Sequence, residues 1–242
     1  ATRERREVIS TKDVSGAIER IELGVAHRLN MTPREREMKA YHEAGHLLVI
    51  YLTHPTDDVF KASIIERGGV LGVVHPVPRE ELFLKDSVSL FADIKSYLGG
   101  YAAEKLKYGV TTTGVSSDFS AAMAIANSMV WNYGMGGNGY VGNFGVIPKT
   151  QLSEDLKEKL NGETQRIMHQ AMQEVEQLLS AEAAILERFA NELIKREELD
   201  YDDIVAIFLQ YGKPPKSIPT TSIPAALPAA NGAAAVPPPM PS

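Results

Sequence analysis

The residues best suited to chemistry are His42-Glu43-Ala44-Gly45-His46. On a helix, positions i and i+4 lie on one face, so the two imidazoles stand one turn apart and can share a single metal ion. The chain has no Cys, so any metal must be held by His and carboxylates. Neutral imidazole suits zinc, which makes water acidic near neutral pH. Glu43, on the same helix, is placed to take up the proton. A hydrolytic zinc site needs a third protein ligand and keeps one position open. His54, beside Pro55, reads as a helix-end residue, and His75 falls in an apolar stretch that reads as an edge strand. Two acids remain, Glu104 and Asp118, and periodicity does not choose between them. Gly45 adds a clue. Gly inside a helix costs about 1 kcal/mol relative to Ala, so a neighbouring element is expected to press on that face.

These residues need a scaffold. Thr32-Pro33-Arg34-Glu35 is a capping box with Pro at the first helical position, and it predicts a helix from 33 to about 53, stopped by His54-Pro55. Tyr41, Ala44, Leu48 and Tyr51 would face its core side. Phe60–Glu66 and Val70–Val77 are rich in Val and Ile around Arg67-Gly68-Gly69, which predicts a hairpin or two edge strands, with Pro76 and Pro78 confining the second to an edge. Asp86 or Ser87 would cap a helix to about Tyr108, its pattern interrupted at Gly99-Gly100. Ser116 or Ser117 would cap the next, closed by Gly134. A Gly-rich loop spans 135–147, and helices follow over 152–179, 181–196 and 200–211. An earlier helix is predicted over 11–27. The fold class is mainly α, with a small β-sheet or hairpin near the active site.

Composition narrows the field. The 242 residues carry a net charge of −6, against a general nucleic-acid binder. Residues 151–212 hold fourteen acids against six bases, the pattern of a solvated helical surface. No apolar run approaches the ~20 residues of a membrane-spanning helix. Nine of the 14 Pro fall in residues 213–242, which read as a disordered Pro/Ala-rich tail. The opening Ala1-Thr2-Arg3, with neither Met nor an apolar leader, reads as part of something longer.

Several stretches, in order, resemble the C-terminal part of the FtsH family of ATP-dependent zinc metalloproteases. They are Asp13-Val14 through Arg20, Tyr41–His46, Ser63-Ile64-Ile65 with Arg67-Gly68 and Leu71-Gly72, Leu98-Gly99-Gly100 with Ala102-Ala103-Glu104, and Thr113-Gly114 with Asp118. The resemblance departs at Tyr101, Lys105 and Glu66. It implies that His42, His46 and Asp118 bind one Zn2+ per chain, that Glu43 is the catalytic base, and that Glu104 stands behind the ligands. It also implies that Val70, Leu71, Gly72, Val73, Val74 and His75 bind substrate as an added strand. Residues 1–30 would be the remnant of an AAA ATPase lid helix and linker, and 31–212 the zinc peptidase domain. No phosphate-binding loop occurs here, so ATP/Mg2+ would belong to an upstream ATPase domain, as would the membrane anchor. The implied protein is a homo-hexamer degrading unfolded polypeptides for quality control. Its peptidase domain would be soluble, on a bacterial inner membrane facing the cytoplasm or on an organellar membrane. The alternative is an inactive FtsH-like pseudo-protease serving assembly or interaction.

Overall fold

The computed structural model describes residues 26–27, 31–67, 70–79 and 83–216. Helix α1 (Pro33–Thr53) begins as the capping box requires. Glu35 donates its backbone N–H to the Thr32 hydroxyl, and the Glu35 carboxylate accepts the Thr32 N–H at 2.7 Å. It ends at His54, ahead of Pro55. Ala40 to Gly45 and Leu47 to Tyr51 are all buried, so the middle of α1 is wrapped on every side and forms the axis of the domain.

Helix α2 (Ser87–Tyr108), capped by the Asp86 side chain and ended by Gly109 at φ 69°, crosses α1. It runs through Gly99-Gly100 without interruption, so these glycines mark a close approach and not a break. A Cβ on Gly45 would stand 2.3 Å from the Gly99 carbonyl oxygen, and one on Gly99 would stand 2.7 Å from that of Gly45. The crowding expected at Gly45 is therefore a helix backbone. On the outer side of α2, Lys105 pairs with Glu176 at 2.7 Å.

Strands β2 (Asp57–Arg67) and β3 (Val70–Pro78) form the antiparallel hairpin, with Lys61 opposite His75 and Ser63 opposite Val73. The other edge of β2 takes β1 (Ala26–His27) and β4 (Glu198–Asp200). Among the described residues nothing pairs with the outer edge of β3, an edge position in keeping with the missing N–H groups of Pro76 and Pro78. The helix read over 11–27 lies outside the described residues except for Ala26–His27, which are strand.

Helix α3 (Ser116–Trp131) starts one residue earlier than a cap at Ser116 would allow. Ser116 is already helical, Val115 occupies the cap position without a side-chain bond, and Thr112 caps the 3-10 turn Thr113–Val115 before it. Phe119 on α3 meets the Tyr101 ring, with centroids 4.9 Å apart. The Gly-rich loop is tied down by Glu163, whose buried carboxylate accepts the Gly137 N–H and pairs with Arg166. Glu163 belongs to α4 (Glu154–Ala181), which precedes α5 (Ala183–Arg196). Helix α6 (Tyr201–Gln210) closes the core, its Phe208 stacked on Tyr51 with centroids 3.6 Å apart. The packed chain reaches Lys216, four residues into the stretch read as a tail, where its ammonium bonds the Ile50 and His54 carbonyls. Residues 217–242 lie outside the described residues. The protein is mainly helical with one small antiparallel sheet.

The same substitution should act with opposite sign at the crossing and away from it. Gly45→Ala drives a methyl into the Gly99 backbone and should destabilise by ~1–3 kcal/mol or more. Gly162→Ala, inside α4 with nothing within 4 Å of the added methyl, should stabilise by about 0.5–1 kcal/mol. Urea unfolding of the two variants checks both signs.

Candidate metal centre

Helix α1 presents three of the predicted residues on one stretch. The His42 and His46 rings lie edge to face, 4.6 Å between centroids, with their Nε2 atoms 3.0 Å apart. Helix α3 brings Asp118 to the same point, its Oδ2 at 3.2 Å from His42 Nε2 and 3.5 Å from His46 Nε2. Ligand atoms on a tetrahedral zinc with bonds of ~2.0–2.1 Å lie about 3.3 Å apart, the spacing these three atoms show.

The outer nitrogens decide what the inner ones can do. His42 Nδ1 is 2.8 Å from Glu104 Oε1, and His46 Nδ1 is 2.7 Å from the Ser96 carbonyl oxygen, both on α2. A carbonyl and a carboxylate only accept, so both Nδ1 atoms carry the hydrogen and both Nε2 atoms present lone pairs. Two lone pairs and a carboxylate oxygen thus converge, an arrangement that is stable only around a positive charge, either a proton or a metal ion. The protonation equilibria express the same demand. Burial pushes the His42 imidazole down, but the Asp118 and Glu104 carboxylates outweigh it and hold it up at about 9. Burial pushes Asp118 up, and the two imidazoles outweigh that, holding its carboxyl well below the usual range. The donor set, the spacing and the tautomers fit zinc.

Glu104 is therefore not a ligand here. Its carboxylate, 2% exposed, takes the far side of His42 and accepts the Thr112 N–H at 2.6 Å and the Thr112 hydroxyl at 3.1 Å. Gly100 leaves room for the ring, since a Cβ there would stand 2.5 Å from His42 Cε1. Glu43 is buried beside the centre, and its Oε1 meets the Lys39 ammonium at 2.6 Å. Gly72 of β3, in the left-handed region at φ 74°, lies against this pair: a Cβ there would stand 2.6 Å from Glu43 Oε1. The strand predicted to bind substrate thus touches the predicted base through one glycine. Of Val70 and Leu71 only the backbone is described. Val73 and Val74 continue the strand, and His75 faces away toward the Phe60 ring, 6.4 Å off.

His54 takes no part. It is the buried C-cap of α1, its Nδ1 accepting the Asp57 N–H at 2.8 Å and its Nε2 meeting Asp93 Oδ1 at 3.1 Å. Asp93 is itself paired with Lys85 at 2.8 Å, so the cluster His54, Asp57 and Asp93 is satisfied internally. Two contacts of the centre escape sequence reasoning. Lys39 precedes Glu43 by four residues, a spacing that signals a helical ion pair. The Ser96 carbonyl carries no sequence signal, because any residue supplies one.

Metal content tests the assignment. The protein should hold about one zinc per chain by elemental mass spectrometry, and His46→Ala or Asp118→Ala should lose it. Glu104→Ala should still load, with affinity lowered about 10–100-fold. Zinc retained in Asp118→Ala would remove that residue from the ligand set.

Comparison with known proteins agrees with this geometry. The model of peptidase family M41 matches residues 29–207. "ATP-dependent zinc metalloprotease FtsH 2" of Sphaerobacter thermophilus is 36% identical over 221 residues, covering 90% of this chain and 33% of that protein. "ATP-dependent zinc metalloprotease FtsH" of Borreliella burgdorferi is 34% identical over 213 residues, covering 82% of this chain and 33% of that protein. The FtsH of Rubrobacter xylanophilus is 31% identical over 224 residues, covering 87% and 34%. The chain spans about a third of the length of these relatives. The matched region takes in all the residues of the centre, and with it the chain belongs to peptidase family M41, as an FtsH-type peptidase domain.

Proposed function

We propose that this chain is the zinc metalloendopeptidase domain of a membrane-anchored, ATP-dependent FtsH-like protease that hydrolyses unfolded or membrane proteins. The observation that carries the reading is the convergence of His42 Nε2, His46 Nε2 and Asp118 Oδ2, with Glu43 following His42 directly on α1. In this reading those three atoms hold the zinc. When bound, the metal supplies Lewis acidity, which makes water a nucleophile near neutral pH and polarises a peptide carbonyl.

The chain's own residues do the rest. Glu43 takes a proton from the attacking water as its oxygen bonds to the carbonyl carbon. It returns that proton to the leaving amine as the C–N bond breaks. Glu104 and the Ser96 carbonyl hold the imidazoles in register through their Nδ1–H groups. His46 and Asp118 keep partial exposure while His42 and Glu104 are sealed, so the centre opens toward solvent on the side of the ligands His46 and Asp118. The outer edge of β3, Val70 to His75, would take an extended peptide as a further strand, bonding through main-chain groups and so tolerating varied sequences.

The peptidase domain spans 31–212 in this reading, with 1–30 as the end of an ATPase lid and 213–242 as a tail. The parent would be a homo-hexamer whose upstream domains supply ATP/Mg2+ chemistry and the anchor. Among the described residues no helix is long and apolar enough to cross a membrane.

Glu43→Gln separates catalysis from metal binding. Under conditions where the wild type cleaves an unstructured peptide, the variant should lose about 10²–10⁴-fold in kcat with zinc content and thermal midpoint unchanged. Retained turnover would sink the base assignment. A zinc-loaded wild type with no Glu43-dependent cleavage, even joined to its ATPase, would favour a pseudo-protease.

A further inference from the structure

The two ligand-bearing segments, His42 on α1 and Asp118 on α3, meet through one carboxylate and one hydroxyl. Glu104 accepts from His42 Nδ1–H on Oε1, and Thr112 grips the same carboxylate twice, through its N–H to Oε2 and its hydroxyl to Oε1. The Thr112 hydroxyl oxygen also accepts the Gly114 N–H at 3.3 Å, capping the turn Thr113–Val115. That turn leads directly into Ser116, and Asp118 sits in the first turn of α3. A hydroxyl both donates and accepts, so one oxygen serves the carboxylate behind His42 and the turn that delivers Asp118.

We propose that Thr112 is a positioning residue for the metal centre, coupling the orientation of His42 to the placement of Asp118 through Glu104. The inference rests on His42, His46 and Asp118 being the metal ligands. Neither the Glu104–His42 bond nor a turn cap alone requires it: a cap would stabilise the turn whether or not the site were formed. What distinguishes Thr112 is that its hydroxyl makes both bonds at once. With Val in its place the shape survives, but Glu104 loses a donor and the Gly114 N–H loses its acceptor. The carboxylate, held then by His42 and one backbone N–H, is free to turn, and the imidazole turns with it.

The test is a double-mutant cycle on zinc affinity, read by competition with a chromophoric chelator on the full chain, with Co2+ absorption spectra alongside. The variants are Thr112→Val, Thr112→Ser, Glu104→Ala and Thr112→Val/Glu104→Ala. Thr112→Val should weaken zinc binding about tenfold and alter the Co2+ spectrum. Thr112→Ser, which keeps the hydroxyl, should stay within about twofold of wild type. In the Glu104→Ala background Thr112→Val should cost clearly less than in the wild type, because the part of its role that runs through that carboxylate is already gone and only the turn cap remains. Unchanged affinity in Thr112→Val, or a full additional loss beside Glu104→Ala, overturns the proposal. If Thr112→Val does not fold, Thr112→Ala runs the same cycle. A wild type that binds no zinc refutes the ligand reading itself, a different result from a wild type that binds and a Thr112→Val that binds equally well.

Discussion

Everything in the centre depends on two helix backbones touching. At the crossing of α1 and α2 there is no side chain between Gly45 and Gly99, and any Cβ there would overlap a carbonyl oxygen. This closeness sets α2 at the depth where the Ser96 carbonyl reaches His46, Gly100 clears the His42 ring, and Glu104 stands behind it. A wider crossing, of the kind that larger residues impose, would pull both acceptors out of hydrogen-bond reach. The helix propensity lost at three glycines is the cost of this close approach.

The second constraint is electrostatic. Once both Nδ1–H groups are spent on α2, three electron-rich atoms face one another within 3.5 Å. Such a cluster is tolerated only with a positive charge among the three atoms, a proton or a metal ion, while the Nδ1 bonds to Glu104 and Ser96 keep both imidazoles turned toward it. Glu104 is the node. It is almost fully buried, yet held below the ordinary carboxylate range: burial pushes it up, and His42 and Thr112 outweigh that. A charged acid so deep in a helical core is stable because each of its oxygens is bonded.

The hairpin contributes a different kind of closeness. Gly72 adopts a conformation that side chains rarely adopt, and in doing so lays the β3 backbone on Glu43 and Lys39. The open edge of the strand and the buried acid–base pair are then two sides of a single residue. On α2, the half-buried Tyr101 packs on Phe119 of α3, while Lys105 pairs with Glu176 on the outer side.

Much of this was legible beforehand, for local reasons. Capping boxes, prolines and 3.6-residue periodicity depend on neighbours in the chain, so α1 could be bounded from Thr32 and Pro55, and the hairpin from its β-branched runs and double Gly. The pairing of His42 with His46, and Glu43 between them, is likewise a property of one helix. What lay beyond the sequence was contact between distant segments. Gly99-Gly100 looks like a break until Gly45 is placed against it, and Thr112 looks like an ordinary turn residue until Glu104 is. Spacing alone leaves Glu104 and Asp118 equal as ligands, and it is the family resemblance that favours Asp118. The packing of α2 and α3 on α1 sets Glu104 at the outer nitrogen of His42 and Asp118 near its inner nitrogen, because side-chain direction across a helix crossing is set by tertiary geometry and not by spacing along the chain.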